Sequence, residues 1–423
     1  MTPMRSFLLT LALASTALAA NWPAWRGPTG DGVCAETGLP LTWSATENVK
    51  WKTPLPERGN SSPVVWGERV FVTQAIDKEM KRLLLCLDRA TGKELWRAGT
   101  TAAEKELTHD TNPPCSASPV TDGERVIVSF GSAGVFCYDF AGKELWKRDL
   151  GVQRHIWGNA SSPVLAGDLC FLNFGPGERT FLIALDKKTG KTAWQHDEPG
   201  GASGEPKPDA DPKKPAWIGA WSCPLFRRVG ERDELIMPWP GRVCAFDPAS
   251  GKELWTCAGL TALIYTSPIF SDGIAVSMAG YGGSALAVRA GGSGDVTATH
   301  RLWLHPNAKQ RIGSGVISDG HIYILDDPGV AECIELKTGR VVWEQRLKGS
   351  GPSGTNWSSL VLADGKCLGM TQGGDAFVFK ASPTFELLAT NSLGEVTNSS
   401  FAVSNGEIFI RTHKSLWCIA KKP

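Results

Sequence analysis

Histidine, amide, arginine and aromatic side chains recur in seven short stretches of this chain. They are His109-Asp110-Thr111-Asn112, Arg154-His155-Ile156-Trp157-Gly158-Asn159, Ala216-Trp217-Ile218-Gly219-Ala220-Trp221, Tyr265-Thr266, Gln310-Arg311, Thr355-Asn356-Trp357 and Thr397-Asn398. Rings with a polar edge, set beside amides and a cation, suit recognition of a polar ligand or a peptide. The candidate binding residues are therefore His109, Asn112, His155, Trp157, Asn159, Trp217, Tyr265, Arg311, Asn356, Trp357 and Asn398. Asn60, Asn159, Asn356 and Asn398 stand just ahead of serine-rich phrases. The competing reading is that these amides and serines cap turns and that water fills the space between them.

Catalytic patterns are thinner. His109 with Asp110 and His155 would suggest a metal or an acid–base pair. The seven histidines show no His-x-His or His-x-x-x-His spacing, however, so no metal site is expected. There is no Gly-x-Ser-x-Gly elbow for a serine hydrolase and no Cys-x-x-Cys-His for a covalently held haem. No catalytic residue is assigned.

The stretches are positioned by a repeat. Gly-Lys-Glu-Leu-Trp occurs at 92–96, 142–146 and 251–255, with looser copies at 190–194 and 339–343. Recurrence at this spacing marks a repeat architecture. Five units open on a Ser-Pro or Ser-Cys-Pro phrase such as Ser61-Ser62-Pro63 or Ser267-Pro268, where a missing N–H costs least. A strand follows, then a turn such as Asp122-Gly123, Asp272-Gly273 or Asn405-Gly406, whose residues tolerate positive φ. A second strand, a third strand with a small residue near its end, and a Thr-Gly-Lys turn lead to a fourth strand ending in Trp.

Four short antiparallel strands, repeated, form a propeller blade. Starts near Ser61, Ser116, Ser161, Ser222, Ser267, Ser314, Ser358 and Ser399 count eight blades. The expected fold is all-β, an eight-bladed β-propeller of four-stranded antiparallel blades. The last unit stops at Ile419 without a fourth strand, and Asn48-Val49-Lys50-Trp51-Lys52 supplies one, closing the ring from the N-terminal side. The repeated tryptophans are expected between blades as core. The seven stretches join successive blades, so they gather on one face around the axis.

Composition agrees. With 44 basic against 43 acidic residues and no basic stripe, nucleic acid is not an expected partner. Arg5, the apolar stretch 7–18 and Ala17-Leu18-Ala19 read as a secretory signal. The expected divisions are a signal peptide at 1–20, an extended segment at 21–40 and one propeller domain at 41–423. The protein is expected to be exported, periplasmic or secreted, monomeric and without a transmembrane segment. Cys86, Cys137, Cys333 and Cys418 share a repeat position filled elsewhere by Ala184, Ala245 and Ala287, so they are expected as buried reduced thiols. The insertion 198–215, rich in Gly, Pro, Asp and Lys, reads as a surface loop beside the axis, or a lid.

The phrase Leu-Asp-x-x-Thr-Gly-Lys-x-x-Trp at 185–194 resembles the PQQ-like repeat of eight-bladed propellers, and the resemblance runs over 41–419. That family includes quinoprotein alcohol dehydrogenases, the outer-membrane assembly lipoprotein BamB and exported propellers of no assigned activity. The opening Trp22-Pro23-Ala24-Trp25-Arg26-Gly27-Pro28 resembles the start of the last group. For a quinoprotein, the resemblance implies PQQ in the central funnel beneath a ring of adjacent cysteines, with calcium on Glu, Asn and Asp. The sequence holds no Cys-Cys dipeptide, and no local motif places calcium ligands. The expected function is therefore binding or scaffolding of a protein or envelope ligand on the loop face. The alternatives are a PQQ- and calcium-dependent dehydrogenase of alcohols or sugars, and a polysaccharide-binding propeller.

Overall fold

The structure is a computed structural model and describes residues 20–199, 218–307 and 309–421. All of the expected signal at 1–20 except Ala20, and most of the insertion at 198–215, lie outside the described residues, as does Trp217. Eight blades of four antiparallel strands follow one another around an axis, the first seven with their strands in chain order from inside to outside. The first blade is Val64–Trp66, Arg69–Ile76, Lys81–Asp88 and Glu94–Thr101. The eighth holds Ala402–Ser404, Glu407–Arg411 and Ser415–Ile419, and its outer strand is Val49–Pro54 from the other end of the chain. Trp51 pairs with Cys418 there, so the closing strand occupies the place of a fourth strand.

The repeated phrase is a joint between blades. In all blades but the seventh, where Val378 faces Ala389, a small residue on the third strand faces a tryptophan of the outer strand: Cys86 opposite Trp96, Cys137 opposite Trp146, Ala184 opposite Trp194 and Cys333 opposite Trp343 among them. The register slips just after each pair, a bulge that re-aims the side chain. The indole N–H then donates to a carbonyl of the next blade, Trp96 to Phe140 at 3.0 Å, Trp146 to Lys187 at 3.0 Å and Trp194 to Pro248 at 2.8 Å. The indole ring lies against the glycine of the next blade's Thr-Gly-Lys or equivalent turn. A Cβ on Gly92, Gly142, Gly190, Gly251 or Gly339 would come within 2.5–2.8 Å of that ring. Glycine is thus required twice, for close approach and for positive φ.

Trp303 holds the same place without the phrase, because the helix Thr297–His300 replaces the turn before it. Trp255 departs from the pattern. Its N–H donates to Glu234 of its own blade at 2.9 Å, and the short strand Gly294–Asp295 lies parallel to Glu253–Ala258, making a fifth strand there.

A second repeat feature closes around the axis. The backbone N–H of Ser62 donates to the hydroxyl of Ser118, Ser118 to Ser162, Ser162 to the Cys223 sulfur, and Cys223 to Ser267. Ser267 donates to Ser314, Ser314 to Ser359, Ser359 to Ser400, and Ser400 back to Ser62, all at 2.8–3.1 Å around the ring. The Ser-Pro openings of the sequence are this ring. The serine satisfies the neighbouring blade's inner N–H, which no strand partner reaches.

The segment after Ala20 crosses the mouth away from the connecting loops. Trp22 exchanges two backbone bonds with Val65, Pro23 accepts from Thr121, and Gly32 and Cys34 bond Leu362 of the seventh blade. Arg26 is buried, and it donates to the carbonyls of Leu360, Asp31 and Gly315. Burial lowers its pKa to about 10. All eleven cysteines are free, and all but Cys34 are buried.

Candidate functional site

A cavity of about 640 Å³ sits at the loop face over the serine ring. Ser62, Ser118, Ser162 and Ser400 of the ring line it, and Trp25 of the crossing segment lines its deep end. Six of the sequence candidates meet in its wall: His109, Asn112, Trp157, Tyr265, Trp357 and Asn398.

One side of the wall is aromatic. Trp157 and Trp221 lie 5.8 Å apart between ring centroids, Trp221 and Tyr265 4.9 Å, and Tyr265 and Tyr281 5.3 Å. These rings come from the connections into the third, fourth and fifth blades and from a hairpin of the fifth. The Trp221 N–H donates to Gly158 at 2.8 Å, which fixes its tilt. The other side is built of amides and hydroxyls. Asn60 and Asn398 both donate to the Thr111 carbonyl, at 2.8 and 3.0 Å, tying together the first, second and eighth blades. Asn112 donates to the carbonyls of Trp157 at 2.6 Å and Asn159 at 3.2 Å. His109 Nδ1 lies 2.7 Å from the Thr111 hydroxyl. The amide N–H groups are therefore spent on the scaffold. The Asn60 carbonyl oxygen and the Tyr265 hydroxyl are buried without a hydrogen-bond partner. Burial raises the Tyr265 phenol well above its ordinary pKa, so it stays a neutral donor.

The remaining candidates lie elsewhere. His155 is 1% exposed and packs edge-on against Trp221 at 4.9 Å. Burial lowers its pKa to about 4, so it is neutral and supports the aromatic wall from behind. Asn159 packs beside Gly131. Asn356 is fully buried and donates to the carbonyls of Leu325 and Ser358, a structural amide. Arg311 is buried against Asp326 at 3.0 Å and Glu332 at 2.5 Å. Burial raises Asp326 above the carboxylate range. For Glu332 burial opposes ionisation, but the hydrogen bond from Asp326 and the Arg311 charge outweigh it and hold it low. This network braces the sixth blade.

The candidates chosen from the loops leave out Trp221 and Asn60, which stand in or beside the same stretches, and also Trp25, Tyr281 and the ring serines. The recurring Ser-Pro phrase was a signal for the serines. Trp25 precedes the repeat and Tyr281 lies in a hairpin, so neither carries a register that places it.

The cavity does not fit the quinone cofactor of similar propellers. That cofactor is a tricarboxylate held with calcium, yet the described lining contains no Lys, Arg, Asp or Glu. No group of three or more His, Cys, Asp or Glu among the described residues is placed to hold a metal ion. A carboxylate brought here would meet no Lys or Arg among the described lining residues.

Comparison with known proteins places the architecture. The chain is 23% identical over 366 residues to outer membrane protein assembly factor BamB of Burkholderia pseudomallei, covering 76% of this chain and 84% of that protein. It is 26% identical over 194 residues to a polyvinylalcohol dehydrogenase of a Pseudomonas species, covering 41% of this chain and only 28% of that enzyme. In structure it superposes on BamB from Moraxella catarrhalis with TM-score 0.61 at 13% identity, covering 87% and 96% of the two chains. It superposes on the quinohemoprotein alcohol dehydrogenase from Comamonas testosteroni with TM-score 0.70 at 12% identity, covering 97% and 82%. Both likenesses are likenesses of fold. Residues 80–345 and 240–375 match the family model described as outer membrane protein assembly factor BamB. With that match running over most of the propeller, the chain belongs to this family of PQQ-like repeat propellers.

Proposed function

We propose that this protein is an exported binding propeller that receives a protein or envelope ligand in its loop-face cavity and does not oxidise it. The observation that carries the reading is the cavity wall: aromatic on one side, amide and hydroxyl on the other, with no charged side chain among the described lining residues. Placement in the cell envelope rests on the likeness to an outer membrane assembly factor and on the expected signal. A scaffolding role also follows the BamB likeness, with partners meeting the same loop face.

The competing reading, a PQQ dehydrogenase, draws on fold and on the partial match to the polyvinylalcohol enzyme. Equilibrium dialysis of the mature protein against PQQ, with and without calcium, separates the two. The expected result is no binding in either condition. Stoichiometric, calcium-dependent uptake of PQQ would overturn the proposal.

A further inference from the structure

Resting on that reading, we propose that the cavity is a site for the end of a neutral oligosaccharide chain. A sugar ring has two different surfaces. Its axial C–H groups form apolar faces that stack on aromatic rings, and its hydroxyls each donate and accept at the rim. The cavity has the matching halves. Trp157, Trp221, Tyr265 and Tyr281 form a continuous aromatic wall with neighbouring centroids 4.9–5.8 Å apart. Facing groups are neutral and held in place by the scaffold, as in Asn60 and Asn398 on the Thr111 carbonyl.

The absence of Lys and Arg from the described lining selects against uronic acids and phosphorylated sugars, which would bury a charge with no such partner. With Asp and Glu absent too, the described lining also gives no such counter-charge for the side chains of an acidic or basic peptide.

The geometry also limits length. Trp25 lines the deep end, on a segment bonded to Val65, Thr121 and Leu362 across the far mouth. The site is therefore a pit and not a tunnel, so it takes a chain terminus or a short oligomer. The volume of about 640 Å³ lies within the range typical of small-molecule sites. Tyr281 lines the same cavity and is half exposed, at 48%.

The test is calorimetry and tryptophan fluorescence of the mature protein with hexasaccharides of β-1,4-glucan, α-1,4-glucan, β-1,4-xylan and β-1,4-mannan, with oligogalacturonate as the charged control. At least one neutral oligomer is expected to bind and to quench tryptophan emission. Oligogalacturonate is expected not to bind. Trp357→Ala removes a ring of the cavity wall, and should weaken that binding about five-fold. Tyr281→Ala removes an exposed ring, and should also weaken it about five-fold while leaving the circular dichroism unchanged. Binding to none of the neutral oligomers, or equal binding in both variants, would overturn the inference. Failure here together with no PQQ uptake would leave the binding reading standing for a ligand of another class. PQQ uptake would defeat both.

Discussion

His155 shows how much the environment of a single residue decides. The sequence offers it as a loop histidine fit for acid–base work. The fold buries it against Trp221 and lowers its pKa to about 4 from an ordinary 6.5. A neutral buried histidine makes the folded state refuse a proton that the unfolded chain accepts. Its contribution to stability is therefore complete above about pH 6.5 and is lost as the pH falls toward 4. The full shift is worth about 3 kcal/mol. We expect His155→Phe, which keeps a ring against Trp221, to lose less stability than the wild type between pH 7 and 4.5, measured as urea midpoints. His305 and His413, also lowered by burial, will leave a residual slope in both proteins. Equal slopes would show that His155 does not carry the effect.

At the scale of the blade, the energetic unit is the joint and not the strand. Tryptophan and glycine from successive copies of the phrase meet, so each copy completes its neighbour. Gly251 has φ of 72°, and an added Cβ would lie 2.5 Å from the Trp194 ring. Gly67 has φ of 52° but open space around it. Gly67→Ala should therefore cost only the left-handed backbone strain, about 1–2 kcal/mol. Gly251→Ala adds overpacking against the indole and should cost about 2–5 kcal/mol in total. Denaturant midpoints of the two variants measure the difference. Similar losses would mean that the indole contact contributes nothing beyond the turn.

At the scale of the whole molecule, stability rests on a seam joined by both ends of the chain. Val49–Pro54 pairs with Ser415–Ile419, and Arg89 of the first blade meets Glu407 of the eighth at 2.8 Å. Arg411 donates to Thr73 and Gln74 across the same seam at 2.6 and 2.8 Å. The serine ring closes there too, from Ser400 to Ser62. Ending the chain after Asn405 would remove two strands of the closing blade and both seam partners. The expected outcome is loss of the cooperative thermal transition by calorimetry, not a modest fall in Tm. A truncated chain that still melts in one sharp step would show that the ring does not need its closure.

What the sequence determined by itself was the ring. Strand period, turn residues and a repeated phrase are local, and eight copies of a local rule leave few ways to bury the faces, as seen in the strand from 48–52 predicted to close the last blade. The same logic marked the loop face and gathered Trp157, Tyr265, Trp357 and Asn398 as candidates. Only the tertiary structure decided which loop residues face the cavity. Asn356 and Asn398 follow the same sequence pattern, yet one is spent on Leu325 and Ser358 in the interior and the other lines the site. Arg311 points into a carboxylate network and His155 stands behind the wall. Trp25 reaches the site from outside the repeat altogether. Side-chain direction at a loop depends on contacts between residues far apart in the chain, and no short-range period encodes those contacts.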